Sequence, residues 1–98
     1  GRTTYGELDR RANGIARKLR SLAVAPGTTV GVSMRRGPEM IAAVLGILKA
    51  GGAYLPVEPS LAPERAAGMF EDTRTRLLLT TSDTHRPPAP DGILTIEV

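Results

Sequence analysis

The sequence contains no cysteine and only one histidine, His85. A disulfide framework and a thiolate metal site are therefore excluded, and one histidine cannot supply a set of imidazole ligands. No apolar run approaches the roughly 18–20 residues that span a bilayer. The first residues also lack the apolar stretch of a signal peptide. These absences predict a cytoplasmic domain without redox or zinc chemistry and without a membrane partner.

Aromatic residues are scarce, with two tyrosines, one phenylalanine and no tryptophan. The net charge of +3 would suit a nucleic-acid partner, but the excess of arginine and lysine lies in residues 1–36. Nucleic-acid binding generally adds aromatic side chains for stacking or a recognisable reading motif. We therefore interpret the basic residues as a solvated helix face and expect no nucleic-acid partner.

What is present is enough for one small domain: 98 residues, of which 41% are apolar. A chain of this length buries roughly 60–65% of the surface that its unfolded form exposes. Such a core is marginal, and we expect some apolar surface to need a partner.

The hydrophobic pattern alternates between helical and strand periods. Thr4 and Glu7 have the spacing of a capping box, which predicts a helix from Tyr5 to about Ala23. Pro38 suits the first turn of a second helix. The predicted helices are 5–23, 38–49 and 63–73, and the predicted strands are 29–34, 53–57, 77–79 and 93–98.

This order predicts an α/β fold, a parallel open sheet of about four strands with right-handed helical crossovers. The connection before the last strand lacks a helix and is near the minimum length for a parallel crossover.

Three packing expectations follow from the pattern. The second helix has so little polar surface that we expect it to be the most buried, with Ile41, Leu45 and Leu48 inside unless that face awaits the remainder of a larger protein. In the third helix the residues expected to face inward are Ala67, Met69 and Phe70. Gly51 is expected in a left-handed conformation, and Tyr54 is expected to pack its ring with the hydroxyl near water.

Ligands of open parallel sheets bind beyond the carboxyl ends of the strands. Gly31 and Gly37 lie too far apart for a dinucleotide fingerprint. The hydroxyl-rich run 80–83 has no glycine and is interpreted as a turn. Glu58 is interpreted as a loop anchor and His85 as a solvated loop residue. The sequence thus predicts no catalytic, cofactor-binding or metal-binding residue.

Two stretches nevertheless form recognisable motifs: residues 4–8 followed by 11–13, and the twelve consecutive residues 48–59. They resemble, in that order, the first and second core motifs of the adenylation domains of nonribosomal peptide synthetases. The family usually has Asp at the position of Glu58 and often Ser at that of Gly37. The motif residues, all interpreted as scaffold, are Thr4, Tyr5, Glu7, Leu8, Leu48, Lys49, Ala50, Gly51, Gly52, Ala53, Tyr54, Leu55, Pro56, Glu58 and Pro59.

The resemblance implies that residues 1–98 are the N-terminal segment of an AMP-binding domain. The parent enzyme would activate an amino acid with Mg-ATP, release pyrophosphate and load the phosphopantetheine thiol of a peptidyl carrier domain, working beside a condensation domain. The family's phosphate loop, specificity pocket and catalytic lysine all lie downstream. We therefore expect the 98-residue chain alone to be inactive, with the remainder of the adenylation domain as its first partner.

Two alternatives stay open at this point. An acyl-CoA or aryl-acid ligase shares the fold and the adenylation step, although its second motif generally lacks the Ala-Tyr-Leu-Pro pattern. A free-standing doubly wound binding module would show the same order of elements without being part of an enzyme. The preference for arginine over lysine, together with frequent alanine and proline, predicts a GC-rich coding sequence and a bacterial source.

Overall fold

The computed structural model describes residues 4–83 and 89–98. Within these ranges the chain forms three helices and four strands. The helices are α1 (Tyr5–Ser21), α2 (Pro38–Lys49) and α3 (Pro63–Thr73), and the strands are β1 (Thr29–Val32), β2 (Ala53–Pro56), β3 (Leu77–Thr80) and β4 (Leu94–Glu97).

All four strands are parallel and lie in the order β2-β1-β3-β4. The two edges of the sheet are therefore β2 and β4. The last strand pairs with β3 in the register Leu77↔Leu94, despite the connection without a predicted helix. The predicted parallel α/β sheet of about four strands is confirmed.

The helices form a layer on each face of the sheet. On one face, α1 and α2 pack together over a core that includes Leu19, Val30, Ile47 and Leu79. The two helices approach closely at Gly46, where an added Cβ would lie 2.6 Å from Ile15 Cγ2. Position 46 therefore requires glycine, because a Cβ does not fit between the two helices.

On the other face, α3 packs Phe70 and Ala66 against Leu78 and Val57. Gly31 provides room for the ring, since an added Cβ would lie 3.0 Å from Phe70 Cε1. The inward face predicted for this helix is confirmed for Phe70 only. Ala66 is buried in place of Ala67, and Met69 is half-buried. Residues four apart share one side of a helix, and Ala66 lies one turn before Phe70 on the side that contacts the sheet.

The prediction for the large side chains of α2 was wrong. Ile41 and Leu48 are each 52% exposed, and Leu45 is half-buried. The buried residues of α2 are Ala42, Ala43, Gly46 and Ile47. These mostly small residues let α2 approach both α1 and the sheet closely. The helix therefore turns them inward, and most of its large apolar residues are half-buried or exposed. It still has the largest buried share of the three helices, four residues of twelve.

All three helices end in the same backbone arrangement. After α2, the N–H of Gly52 donates to Ile47 O at 2.9 Å and that of Gly51 to Leu48 O at 3.0 Å, the paired bonds of a Schellman motif. Gly51 has φ +91°, as predicted. The equivalent positions after α1 and α3 are Ala23 (φ 68°) and Arg74 (φ 55°). Helix α1 consequently ends at Ser21, two residues before the predicted end.

We expect Ala23→Gly and Arg74→Gly each to raise the free energy of unfolding by about 1 kcal/mol. Residues with a Cβ pay roughly that penalty in a left-handed conformation, whereas glycine does not. Urea unfolding followed by circular dichroism measures the change. Gly51→Ala is the matched reverse substitution and is expected to destabilise; a gain from Gly51→Ala would contradict this account of the helix ends.

Candidate functional site

The second motif spans the end of α2, the turn after it and the whole of β2. Leu48 and Lys49 close the helix, Ala50 is its C-cap and Gly51 takes the left-handed position. The strand that follows lies at an edge of the sheet. Tyr54 is 47% exposed, so its ring is less packed than predicted. Glu58 and Pro59 come after the strand, at its carboxyl end. The motif thus shapes a helix-to-strand turn.

Lys49 joins α2 to α1 through both its side chain and its backbone. Its Nζ lies 3.0 Å from Asp9 Oδ1, and its carbonyl oxygen accepts a 2.7 Å hydrogen bond from Arg20 Nη2. Sequence reasoning missed Asp9 and Arg20. These partners are far from Lys49 along the chain, 29 positions away in the case of Arg20, and no local pattern marks contacts of that separation.

Gly52 is needed for a different reason from Gly51. An added Cβ would lie 3.1 Å from Thr28 O and 3.1 Å from Val24 Cγ1. The N–H of Ala53 donates to that same Thr28 carbonyl at 2.9 Å. The two glycines of the motif therefore serve a left-handed turn and a crowded strand entry.

The first motif begins α1. Thr4 is the N-cap, and its Oγ1 accepts a 3.1 Å hydrogen bond from the backbone N–H of Glu7, as the capping-box spacing predicts. Tyr5 is 85% exposed, and Leu8 is half-buried. Both lie beside Leu45 and Lys49 of α2. The first motif thus lies near the start of the second one.

At the carboxyl end of the sheet, hydroxyl groups gather on adjacent strands. Ser33 follows β1 and Thr80 ends β3, and the N–H of Ser33 donates to Leu79 O at 2.9 Å. Both side-chain oxygens are buried without a hydrogen-bond partner among the described residues. Arg35 and Arg36 line an open depression nearby, together with Glu58.

Asp83 lies in the turn that follows β3. A hydrogen bond from the Thr81 hydroxyl to its Oδ1, 2.5 Å long, is the largest influence and lowers the pKa of Asp83. Desolvation opposes this shift, while the backbone N–H of Asp83 and the positive charge of Arg35, with Nη1 3.8 Å from Oδ2, support it.

We expect NMR titration to place the pKa of Asp83 below the usual aspartate value of about 3.9. Thr81→Val should raise that pKa, and Arg35→Gln should raise it less. Because the folded-state pKa is depressed, the stabilisation exists above the unfolded-state pKa and is lost as the pH falls through the folded-state value. An unchanged titration in Thr81→Val would contradict the assigned hydrogen bond.

The described groups at this end of the sheet can be compared with the requirements of a triphosphate site. Triphosphate binding needs clustered backbone amides, hydroxyls and a lysine directed at the phosphates. Here the Ser33 and Thr80 hydroxyls are buried, and Lys49 is paired with Asp9. Across residues 4–83 and 89–98, no three His, Cys, Asp or Glu side chains are grouped to hold a metal ion. His85 lies outside the described residues.

The described part of the chain contains no helix that is both long and apolar enough to cross a membrane. The described residues form a protein of the parallel α/β class, with helices on both faces of the sheet and two open edges. The motif residues form its turns and helix contacts. Comparison with known proteins gives the family.

The family model for AMP-binding enzymes matches residues 1–97. The chain belongs to the AMP-binding enzyme family. It is 46% identical over 97 residues to one of the subunits of plipastatin synthase from Bacillus subtilis, and the match covers 96% of this chain and 3% of that protein. The chain therefore spans a very small part of the length of this relative.

Two solved structures show the same fold. One is the nonribosomal peptide synthetase FmoA3 bound to alpha-methyl-L-serine-AMP, with a TM-score of 0.90 and 41% identity, covering 99% of this chain and 11% of that one. The other is a fatty acid AMP ligase from Legionella pneumophila, with a TM-score of 0.82 and 26% identity, covering 97% and 18%. The predicted resemblance to nonribosomal peptide synthetases is confirmed.

Proposed function

We propose that this chain is the N-terminal segment of an amino-acid-activating adenylation domain in a nonribosomal peptide synthetase. The observation that carries the proposal is the difference in similarity between the two kinds of relative. Identity is 46% to the plipastatin synthase and 41% to FmoA3, against 26% to the fatty acid AMP ligase. The second motif, with its Ala53-Tyr54-Leu55-Pro56 sequence, supports the same choice.

In the complete enzyme, Mg-ATP would supply the adenylyl group that activates the amino acid. Residues 4–83 and 89–98, which the structure describes, lack the clustered amides, hydroxyls and lysine that hold a triphosphate, and we propose that their contribution is structural. Lys49, Asp9 and Arg20 fix the end of α2 against α1, and the Gly51-Gly52 turn directs the chain into β2. We propose that this segment holds the rest of the domain in position.

The further partners are a peptidyl carrier domain with its phosphopantetheine thiol and a condensation domain. Support comes from the small share of the plipastatin synthase protein that this chain represents, 3%. We also propose that the enzyme acts in the bacterial cytoplasm; the relatives with a stated source are bacterial.

The test is amino-acid-dependent exchange of labelled pyrophosphate into ATP. The complete adenylation protein containing this chain should exchange pyrophosphate when one amino acid from a panel is added. The matched control replaces the amino acids with fatty and aryl acids. Exchange that depends on those acids instead would favour the acyl or aryl ligase alternative.

The 98-residue chain alone provides the second arm of the assay. We expect no exchange, because the phosphate loop and catalytic lysine implied by the family lie outside these residues. Exchange by the short chain would contradict the structural role proposed for it.

A further inference from the structure

Asparagine or aspartate is followed by glycine at two places in the sequence, Asn13-Gly14 and Asp91-Gly92. In such a pair the amide nitrogen of the glycine is not shielded by a Cβ, so it can approach the side-chain carbonyl carbon of the residue before it. Whether the two atoms meet depends on the backbone around them. The structure places the two pairs in opposite environments.

The pair Asn13-Gly14 lies in the middle of α1. In an α-helix each backbone N–H donates to the carbonyl four residues earlier, so the nitrogen of Gly14 is directed at Arg10. The Asn13 side chain turns to Asp9 instead, with Nδ2 donating to Oδ2 at 3.4 Å. Bringing the nitrogen to Asn13 Cγ requires a rotation about ψ out of the helical value, which breaks the helix at its centre. The helix therefore protects this pair.

The pair Asp91-Gly92 lies in the turn that leads into β4. Gly92 has φ +91°, and the N–H of Ile93 donates to Pro90 O at 3.3 Å. These values describe a type II turn with Asp91 and Gly92 at its centre. The hydrogen bond that closes the turn is longer than the usual ~2.7–3.2 Å. One weak bond thus holds the conformation, whereas α1 is held by a ladder of bonds.

Both residues at the centre of this turn are exposed. Within residues 4–83 and 89–98, neither the Asp91 carboxylate nor the Gly92 N–H has a hydrogen-bond partner. A Cβ added at Gly92 would meet nothing within 4 Å, so the space around the turn is open to water. The nitrogen and the carboxyl group are therefore adjacent, unengaged and solvated.

We propose that Asp91 is a site of isoaspartate formation, whereas α1 preserves Asn13. The amide nitrogen of Gly92 attacks Cγ of Asp91. A C–N bond forms, and the hydroxyl of the carboxylic acid leaves with the amide proton as water, which closes a five-membered succinimide ring.

A second water molecule then opens the ring. Attack at the main-chain carbonyl gives isoaspartate, in which the backbone runs through Cβ and Cγ of residue 91. Attack at Cγ restores aspartate. One water is lost and one is gained, so the change needs no reactant besides water.

Isoaspartate lengthens the main chain by one methylene group immediately before β4. Ile93 packs against the core under α3, and the N–H of Leu94 donates to Arg76 O at 2.9 Å. Both contacts follow position 91 directly, so the extra methylene group displaces the start of β4. The modified chain also becomes a substrate for the class of methyltransferase that recognises isoaspartyl carboxylates.

Incubation of the complete adenylation protein at neutral pH tests the proposal. After digestion, the peptide that contains position 91 should separate into an aspartate and an isoaspartate form, and only the second should accept methyl groups from isoaspartate methyltransferase. We expect at least ~10-fold more isoaspartate at position 91 than at Asp9, Asp72 or Asp83, because only Asp91 precedes a residue without a Cβ. Equal amounts at the four positions, or none at position 91, would overturn the proposal.

Asp91→Glu is the control for that signal. It keeps the carboxylate, but closure would require a six-membered ring, so methylation of this peptide should disappear. Methylation that persists in the variant would place the isoaspartate elsewhere and would contradict the assignment to Asp91.

Asp91→Asn gives a matched comparison inside one molecule, because the variant carries two Asn-Gly pairs. Ammonia leaves in place of water, so each conversion changes the mass of its peptide. In the folded protein the asparagine introduced at position 91 should convert at least ~100-fold faster than Asn13, since mobile loops open at almost no cost in free energy and helix interiors open rarely. In urea the two should convert at similar rates. Similar rates in the folded protein, or a difference that persists in urea, would show that the backbone conformation is not the cause.

None of these readouts uses the adenylation reaction, and the inference does not depend on the proposed function. A complete protein that forms isoaspartate at position 91, yet exchanges no pyrophosphate with any amino acid, would refute the proposed function and support the modification site.

Discussion

Gly46→Ala is expected to lower the free energy of unfolding by about 1–3 kcal/mol, the usual cost of overpacking a close contact. The new Cβ would lie 2.6 Å from Ile15 Cγ2, 2.7 Å from Ile15 Cβ and 3.1 Å from the carbonyl oxygen of Ala12. The last of these is backbone, so α1 and α2 must move apart to admit the methyl group. That movement also loosens the core that both helices share over the sheet.

The matched control is Gly14→Ala in α1, where an added Cβ meets nothing within 4 Å. Relief of glycine's helix penalty should stabilise that variant by about 0.5–1 kcal/mol. Urea unfolding of the two variants beside the wild-type protein measures both changes. If Gly46→Ala were as stabilising as Gly14→Ala, the close approach of α1 and α2 would be wrong.

Phe70→Ala is expected to cost about 3–5 kcal/mol, the range for truncating a buried phenylalanine. The ring is 3% exposed and belongs to the small core under α3, which it shares with Ala66, Val57 and Leu78. Domains of this size have a total stability of only about 5–15 kcal/mol. The substitution therefore removes a large part of the stability, and α3 should lose its position on the sheet first.

Thermal and urea unfolding measure the loss, and hydrogen exchange of the α3 amides reports whether the helix detaches locally. Met69→Ala is the control in the same turn of α3, because Met69 is half-buried. We expect it to cost about 1 kcal/mol, as is usual for single substitutions. Similar losses for the two variants would show that α3 does not pack through Phe70.

Several features could be predicted from the sequence because their causes are local. Thr4 and Glu7 mark the start of α1, and Pro38 marks the first turn of α2. The bounds of α3 agree with the structure at both ends, since Pro63 begins it and its apolar period stops near Thr73. The candidate site was identified in the same way, by a run of motif residues whose turn at Gly51 is a local conformation.

Other features depend on which elements meet in space. Ala23 and Arg74 adopt left-handed conformations although neither is glycine, because the chain must leave each helix toward its next strand. The periodicity of Ile41 and Leu48 is typical of core residues. In the structure, however, α2 turns its small residues toward α1 and the sheet, and these two side chains stay exposed. Asp9 and Arg20 give no signal of their contact with Lys49.

The sequence by itself determined the order of helices and strands, the helix starts and the motif turn, because capping hydroxyls, prolines, glycines and hydrophobic periods act within a few residues. Only the tertiary structure decided the strand order β2-β1-β3-β4, the inward face of α2 and which two strands form the edges of the sheet. Each of these depends on long-range contact: the room at Gly46 and Gly31, and the packing of helices onto a shared sheet.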